Sequence, residues 1–298
     1  MVVMRILHLT SHLDVGGITT YMVRLAEAST ARGHQVSVAS DAGVLSERLS
    51  RRLWPCTGCL TMAISEPVAA HLREVFRVPP ERIRLIPHGI EIARFTHPVD
   101  PSEQRRFRRQ VGLSDDGPVI GTVARLVESK GVAQLLASLR EVLTQMPRAQ
   151  ALIVGDGDDR ARLERMTREQ GLAQAVRFTG SLPETRVALS VMDLFVFLPA
   201  TQEGFGLSLL EAMAGARPIV AIRRGGGAPW VLEEAGVGVL VEPDDPRALA
   251  DALTRLLRDP AQARRLGAQA RAVAQARYDD ARMIEQVEQV YDDAIRSG

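Results

Sequence analysis

The 298-residue chain predicts an α/β fold of two parallel-sheet domains, the second complete and doubly wound, the first cut short. Three observations carry this. Short apolar runs bounded by glycine or proline alternate with amphipathic stretches, the grammar of parallel strands joined by helical crossovers. Six such runs fall between residues 118 and 243, against four in the first 89. Between the two series, residues 90–104 carry two prolines and little periodicity and read as a linker. The expected domains are residues 1–98, residues 99–278, and a terminal helix, 279–298, packing back toward the first domain.

The first domain opens on the strand "MRILHLT", a loop holding Gly16 and Gly17, a helix from about Thr20 to Ala31 closed by Gly33, and the strand "HQVSVAS". "DAGVLSERLSRRLWPCTGC" reads as a short helix running into a loop, and "LTMAI" as a strand. "SEPVAAHLREVF" follows as a helix with Ser65 at its N-cap and Pro67 in its first turn, both start signals. "RIRLIPHG" is the fourth strand. In the second domain the strands are "PVIGTVA", "QALIVG", "AVRFTG", "LFVFLPA", "RPIVAI" and "VGVLVEP", with helices such as "VAQLLASLREVLTQM" and "RARLERMTREQ" between them. From Pro246 onward the pattern is helical, with breaks near Pro260 and Tyr278.

Composition sets aside several classes of function. Lys and Arg total 37 against 36 Asp and Glu, a net charge of +1, so nothing advertises nucleic acid. No apolar run reaches the ~20 residues that span a bilayer, and the first residues read as a buried strand without a basic leader, so the expected location is cytoplasmic. Cys56 and Cys59 form a lone CxxC with no second pair to complete a zinc site, and read as two reduced thiols. The run "EQRRFRRQ" reads either as a contact for an anionic membrane or ligand, or as the solvated face of a short helix.

Ligands of open parallel sheets lie beyond the carboxyl ends of the strands. Those ends deliver Arg125 and Lys130 after "PVIGTVA", "DGDD" after "QALIVG", Gly180 and Ser181 after "AVRFTG", the segment "EGFGLSLLE" after "LFVFLPA", and "RRGGG" after "RPIVAI". Gly204, Phe205 and Gly206 free the backbone just before a helix starting near Leu207, whose amides and dipole favour a phosphate. Arg125 and Lys130 suit a pyrophosphate from the other side. Glu211, about one turn into the helix, suits a vicinal diol such as that of ribose. Glu203, before the turn, suits whatever hangs from the phosphates. The set fits a nucleoside diphosphate carrying a polar group. The rival reading, a dinucleotide oxidoreductase built on "GDGDDR", lacks a third glycine, where Arg160 stands, and an acidic residue at the end of the next strand.

The pieces "ARLVESKG", "IVGDGDDRARLE", "VRFTGSL", "PATQEGFGLSLLEAMAGARPIVA", "GGGAPWVL" and "GVLVEPDDPRALADAL" resemble, in this order, the family 4 retaining glycosyltransferases of the GT-B fold. The opening "MRILHLTSHLDVGGITTYMVRLA" resembles that family's first strand and glycine-rich loop. The resemblance implies two Rossmann-like domains and transfer of a sugar from a nucleoside-diphosphate-sugar to an acceptor hydroxyl, with no cofactor and no metal. It implies that Arg125 and Lys130 hold the pyrophosphate, that Glu211 binds the ribose, that Glu203 sits by the sugar, and that Gly16 and Gly17 let the first loop approach. The chain also departs from the family. Its first domain is about half the usual size, and no histidine among His8, His12, His34 and His71 stands in the usual acceptor-side context. His88 replaces an asparagine, and Ala228-Pro229-Trp230 follows the glycines where proline and glutamate are usual. These departures lead to an expectation of impaired transfer and of self-association through an exposed strand edge. A non-catalytic nucleotide-sugar-binding protein is the alternative.

Overall fold

The computed structural model describes residues 5–10, 25–32, 35–40, 60–200, 205–224 and 226–297. The chain divides into two compact units, Ile90–Asp279 and Met1–Gly89 with Asp280–Gly298.

In the larger unit six parallel strands form one sheet: β5 (Val119–Val123), β6 (Gln150–Val154), β7 (Val176–Phe178), β8 (Leu194–Phe197), β9 (Ile219–Ile222) and β10 (Val239–Val241). Their order across the sheet is β10-β9-β8-β5-β6-β7. Every residue of β6, β8 and β9 is buried. Helices cover both faces of such a sheet, so its strands are continuous apolar runs rather than alternating ones. One core gathers Ile120, Ile153, Val196 and Val220 with Leu135, Leu139, Leu249 and Leu253 of the covering helices.

Three helices of this unit begin with the same Asp-Pro pair. Asp100, Asp245 and Asp259 each accept a hydrogen bond from a backbone amide two or three residues on, at 2.6, 2.9 and 2.9 Å, and proline fills the first helical turn. The first of these helices, Pro101–Val111, together with a short helix at Ile92–Thr96, occupies much of the stretch read from sequence as a linker. That reading is corrected. Pro101–Val111 buries no residue fully, and after Pro101 only Phe107 and Val111 are apolar, too few to mark a period in the sequence. The run "EQRRFRRQ" belongs to this helix.

In the smaller unit β1 (Arg5–Thr10) pairs in parallel with β2 (Gln35–Ser40), and β3 (Thr61–Ala63) with β4 (Ile83–Leu85). Among the described residues no ladder joins the two pairs. Ser65 stands at the N-cap of the helix Glu66–Glu74 in extended backbone, but its side chain makes no capping bond. Pro67 in the first turn and the Ala69 amide, which donates to the Ser65 carbonyl at 2.9 Å, start the helix instead. Leu25 and Ile86 pack with Met283, Val287 and Val290, so the last helix, Asp280–Ser297, supplies part of this unit's core. Among the described residues no helix is long and apolar enough to cross a membrane.

Candidate functional site

Between β8 and β5 the strand order reverses, and at such a point the loops leaving the carboxyl ends part and open a crevice. The β5 exit carries Arg125 and Lys130 along its edge. Its backbone is held from both sides. Toward β6, the Ala124 amide donates to the Val154 carbonyl (3.0 Å), Leu126 donates to Asp156 (2.8 Å), and Asp159 donates back to Leu126 (2.9 Å). Toward β8, the Ala200 amide donates to the Ser129 carbonyl at 2.9 Å. Gly131 closes the loop at φ 63°, where a β-carbon would stand 2.1 Å from the Leu198 carbonyl oxygen. Arg125 is exposed, and Lys130 is half-buried at the end of the 3-10 turn Glu128–Lys130.

The β8 exit resumes at Phe205 and Gly206, followed by the helix Leu207–Ala214. Gly206, at φ 104°, is the N-cap, so no side chain there satisfies the first amides, with Leu207 leading the turn. A β-carbon on Gly206 would lie 2.7 Å from the tip of the Phe197 ring. The Phe205 ring is 3% exposed and meets the Tyr278 ring edge to face at 5.7 Å. Burial pushes the Tyr278 phenol up to about 12. Phe205 therefore offers a ligand only its backbone, while its ring fixes the turn.

Glu211 is half-buried on this helix, and its Oε2 accepts a hydrogen bond from the Thr185 hydroxyl at 2.8 Å. Withdrawal from water raises its pKa, and the Thr185 bond and the charge of Arg94 pull the other way. Arg94 is in turn held by Glu184 at 3.1 Å. Neither Thr185 nor Arg94 was legible as a site residue. They sit in no motif, and tertiary packing of three short elements brings them to Glu211. Gly16, Gly17, Glu203 and Gly204, with Cys56 and Cys59, lie outside the described residues.

The remaining strand exits are engaged within the protein. Asp156 accepts from the Gly157 amide at 2.8 Å and from Arg160 at 2.7 Å, and these bonds hold its carboxyl below the usual range. Asp159 is held down in the same way by Arg162 at 2.6 Å. "GDGDD" follows β6, one place removed from the reversal in strand order, which is not where a dinucleotide-binding turn stands. The Gly180 carbonyl accepts from the Gly155 amide at 2.9 Å, which ties the β7 exit to the same rim. Arg223 pairs with Glu233 and Glu242, and Arg224 with Asp244 at 2.8 Å, so both cations of "RRGGG" are committed to carboxylates. Among the described residues no group of three His, Cys, Asp or Glu stands together as a metal site would require. His88, just past β4, is buried, which pushes its pKa down to about 4 and leaves a neutral imidazole at pH 7.

The raised pKa of Glu211 gives a test of its burial. Its ordinary value is 4.5 and its folded value is higher, so between the two the folded chain holds a proton that the unfolded chain has released. Unfolding free energy then falls as pH rises through this window. Glu211→Gln keeps an acceptor for Thr185 and removes the charge. The ligand-free variant should melt above the parent chain at pH 7, with the gap closing as pH is lowered toward 4.5. Melting curves across that range check it, and a variant that melts lower at pH 7 contradicts the assignment.

A doubly wound sheet with a cation-bearing loop at its switch point, in a chain with a second, smaller α/β unit, is the architecture of glycosyltransferases of the GT-B fold. A glycosyltransferase from Rickettsia africae superposes over 99% of this chain and 100% of its own, with TM-score 0.85 at 16% identity. The Anabaena HepE protein, solved with UDP and glucose, covers 97% of this chain and 100% of its own, with TM-score 0.82 at 20% identity. The description of the group 1 glycosyl transferases matches residues 103–273, and the chain belongs to that family. Among curated relatives, it is 31% identical over 258 residues to a GDP-mannose-dependent monoacylated alpha-(1-6)-phosphatidylinositol monomannoside mannosyltransferase of Corynebacterium glutamicum, over 84% of this chain. The chain spans 65% of that relative's length and about half that of other curated relatives it matches.

Proposed function

We propose that this chain is a retaining glycosyltransferase that moves a sugar from a nucleoside diphosphate to an acceptor hydroxyl. The observation that carries the reading is the β5 exit loop, pinned to the exits of both β6 and β8 at the switch point, with Arg125 and Lys130 along it. A diphosphate is the chemistry that such paired cations and an open helix N-terminus recognise together. It is also the part common to the GDP-mannose of the mannosyltransferase and the UDP held by HepE.

In this reading negative charge builds on the departing diphosphate as the bond to the sugar breaks. Arg125, Lys130 and the amides at Leu207 meet that charge, and one preorganised contact of this kind is worth roughly 3–4 kcal/mol. The acceptor oxygen bonds the anomeric carbon on the face the phosphate leaves, and the departing phosphate oxygen takes the acceptor proton, which gives retention without a metal. Glu211 accepts from the ribose hydroxyls, and Glu203 contacts the transferred sugar. The short first unit carries the acceptor side, and transfer is expected to be slow relative to nucleotide binding.

A thermal-shift panel of nucleotide-sugars tests the binding step, since a ligand at 100 times its Kd adds about 2.7 kcal/mol. NMR of the product sugar then reads the anomeric outcome. Absence of any shift removes the nucleotide site, and an inverted product removes retention. Glu203→Ala is expected to lower transfer or sugar release while leaving affinity for bare diphosphate within about threefold, and calorimetry beside a turnover assay separates the two.

A further inference from the structure

We propose that Thr185 is a positioning residue for the sugar of the nucleotide, fixing the Glu211 carboxylate so that the site selects ribose over 2′-deoxyribose. The inference rests on the reading of Glu211 as the ribose contact and names a residue that no motif marks. The Thr185 hydroxyl donates to Glu211 Oε2 at 2.8 Å. A glutamate carboxylate turns almost freely about its last bond, whereas a β-branched threonine is stiff at its first. One such bond therefore restrains the rotation of the carboxylate.

Thr185 is itself held in place. Its carbonyl accepts from the Leu189 amide at 2.8 Å, starting the short helix Arg186–Ser190. The preceding Glu184 is held by Arg94 at 3.1 Å and Arg186 at 3.4 Å. Arg94 belongs to Ile92–Thr96, which packs on the helix that carries Glu211. Three elements thus converge on one carboxylate of the candidate site. Each carboxylate oxygen accepts two hydrogen bonds, and a hydroxyl that donates still accepts. Glu211 in this orientation, with Thr185 beside it, forms a fixed acceptor set for a vicinal diol. A site built to bond a hydroxyl rejects the analogue lacking it, because its own polar groups are then left without a partner.

The experiment measures affinity for UDP and GDP beside their 2′-deoxy forms, in the full chain and in Thr185→Val, Thr185→Ser and Glu211→Ala. Thr185→Val is expected to weaken the ribonucleotide about tenfold and to erase most of the ribose preference. Thr185→Ser is expected to keep both within about threefold, since the hydroxyl remains. A lower melting temperature in Thr185→Val with the ribose preference intact would overturn the proposal and leave a structural bond. If Thr185→Val fails to fold, unchanged preference in a folded Thr185→Ala overturns it equally. Loss of preference in Glu211→Ala alone overturns only the role of Thr185. Unchanged preference in Glu211→Ala shows that Glu211 is not the ribose contact and removes the parent reading with it.

Discussion

Alanine at Lys130 is expected to lower sugar transfer by about 10²–10³-fold, the usual effect of removing one preorganised contact to developing charge. Affinity for the bare nucleoside diphosphate should fall with it, because a diphosphate is fully charged before the bond breaks as well as after. Alanine at Arg125 should act in the same direction but less, about tenfold. The difference follows from exposure. Arg125 stands in water, where salt screens its charge, while Lys130 is half-buried at the end of its turn. Raising the ionic strength should therefore shrink the Arg125 effect more than the Lys130 effect. Neither variant should unfold. The loop is held by backbone bonds from Ala124, Leu126, Asp159 and Ala200, none of which uses the lost side chains. For the exposed Arg125 the change should stay within about 0.5 kcal/mol, as for surface substitutions generally. Lys130→Arg is not expected to restore full activity, because a planar fork replaces a compact point charge. Calorimetry with UDP and GDP, beside a turnover assay at two salt concentrations, measures all of this. Undiminished diphosphate affinity in both alanine variants removes these residues from the site.

The strands of the larger unit were legible because a sheet covered on both faces needs unbroken apolar runs, and β6, β8 and β9 supply them. The breaks near Pro260 and Tyr278 were legible from proline and from the end of the helical period, and they separate Pro246–Arg258, Pro260–Arg277 and Asp280–Ser297. The helix Pro101–Val111 was legible only as one of two readings of "EQRRFRRQ", and its first turn was read as linker, because Phe107 and Val111 are too few apolar residues to mark a period. Its Asp-Pro start is nonetheless the same signal as at Asp245 and Asp259. Cations at strand exits could be placed on the rim because each loop follows its strand directly. Thr185 and Arg94 could not, because Ile92–Thr96 and Arg186–Ser190 are too short to show a face, and their meeting with Glu211 is made by packing alone.

The second large effect is expected at Gly131, in both stability and binding. Gly131 sits at φ 63°, and a β-carbon there would approach the Leu198 carbonyl oxygen to 2.1 Å and the Ala200 amide nitrogen to 3.3 Å. Both are backbone atoms of the β8 exit, so no side chain can turn aside to make room. Two costs add. An alanine in the left-handed region costs about 1–2 kcal/mol, and forcing extra volume into packed structure commonly costs about 1–3 kcal/mol more. Gly131→Ala should therefore destabilise by roughly 3 kcal/mol, a fall of about 6–12 °C for a unit of this size. Gly236 separates the two costs. It has the same φ of 63°, with nothing within 4 Å of the added carbon, so Gly236→Ala should show the backbone cost alone. The functional consequence distinguishes the sites further. Relief of the Gly131 clash must move the β5 exit away from Leu198, and with it the bond from Ala200 to Ser129 that ties the cation-bearing loop to β8. Gly131→Ala should then lose diphosphate affinity even at temperatures where it is fully folded, and Gly236→Ala should not. Equal melting temperatures for the two variants would show that the loop yields without cost. Unchanged affinity in folded Gly131→Ala would show that the contact between the β5 and β8 exits does not set the position of Arg125 and Lys130.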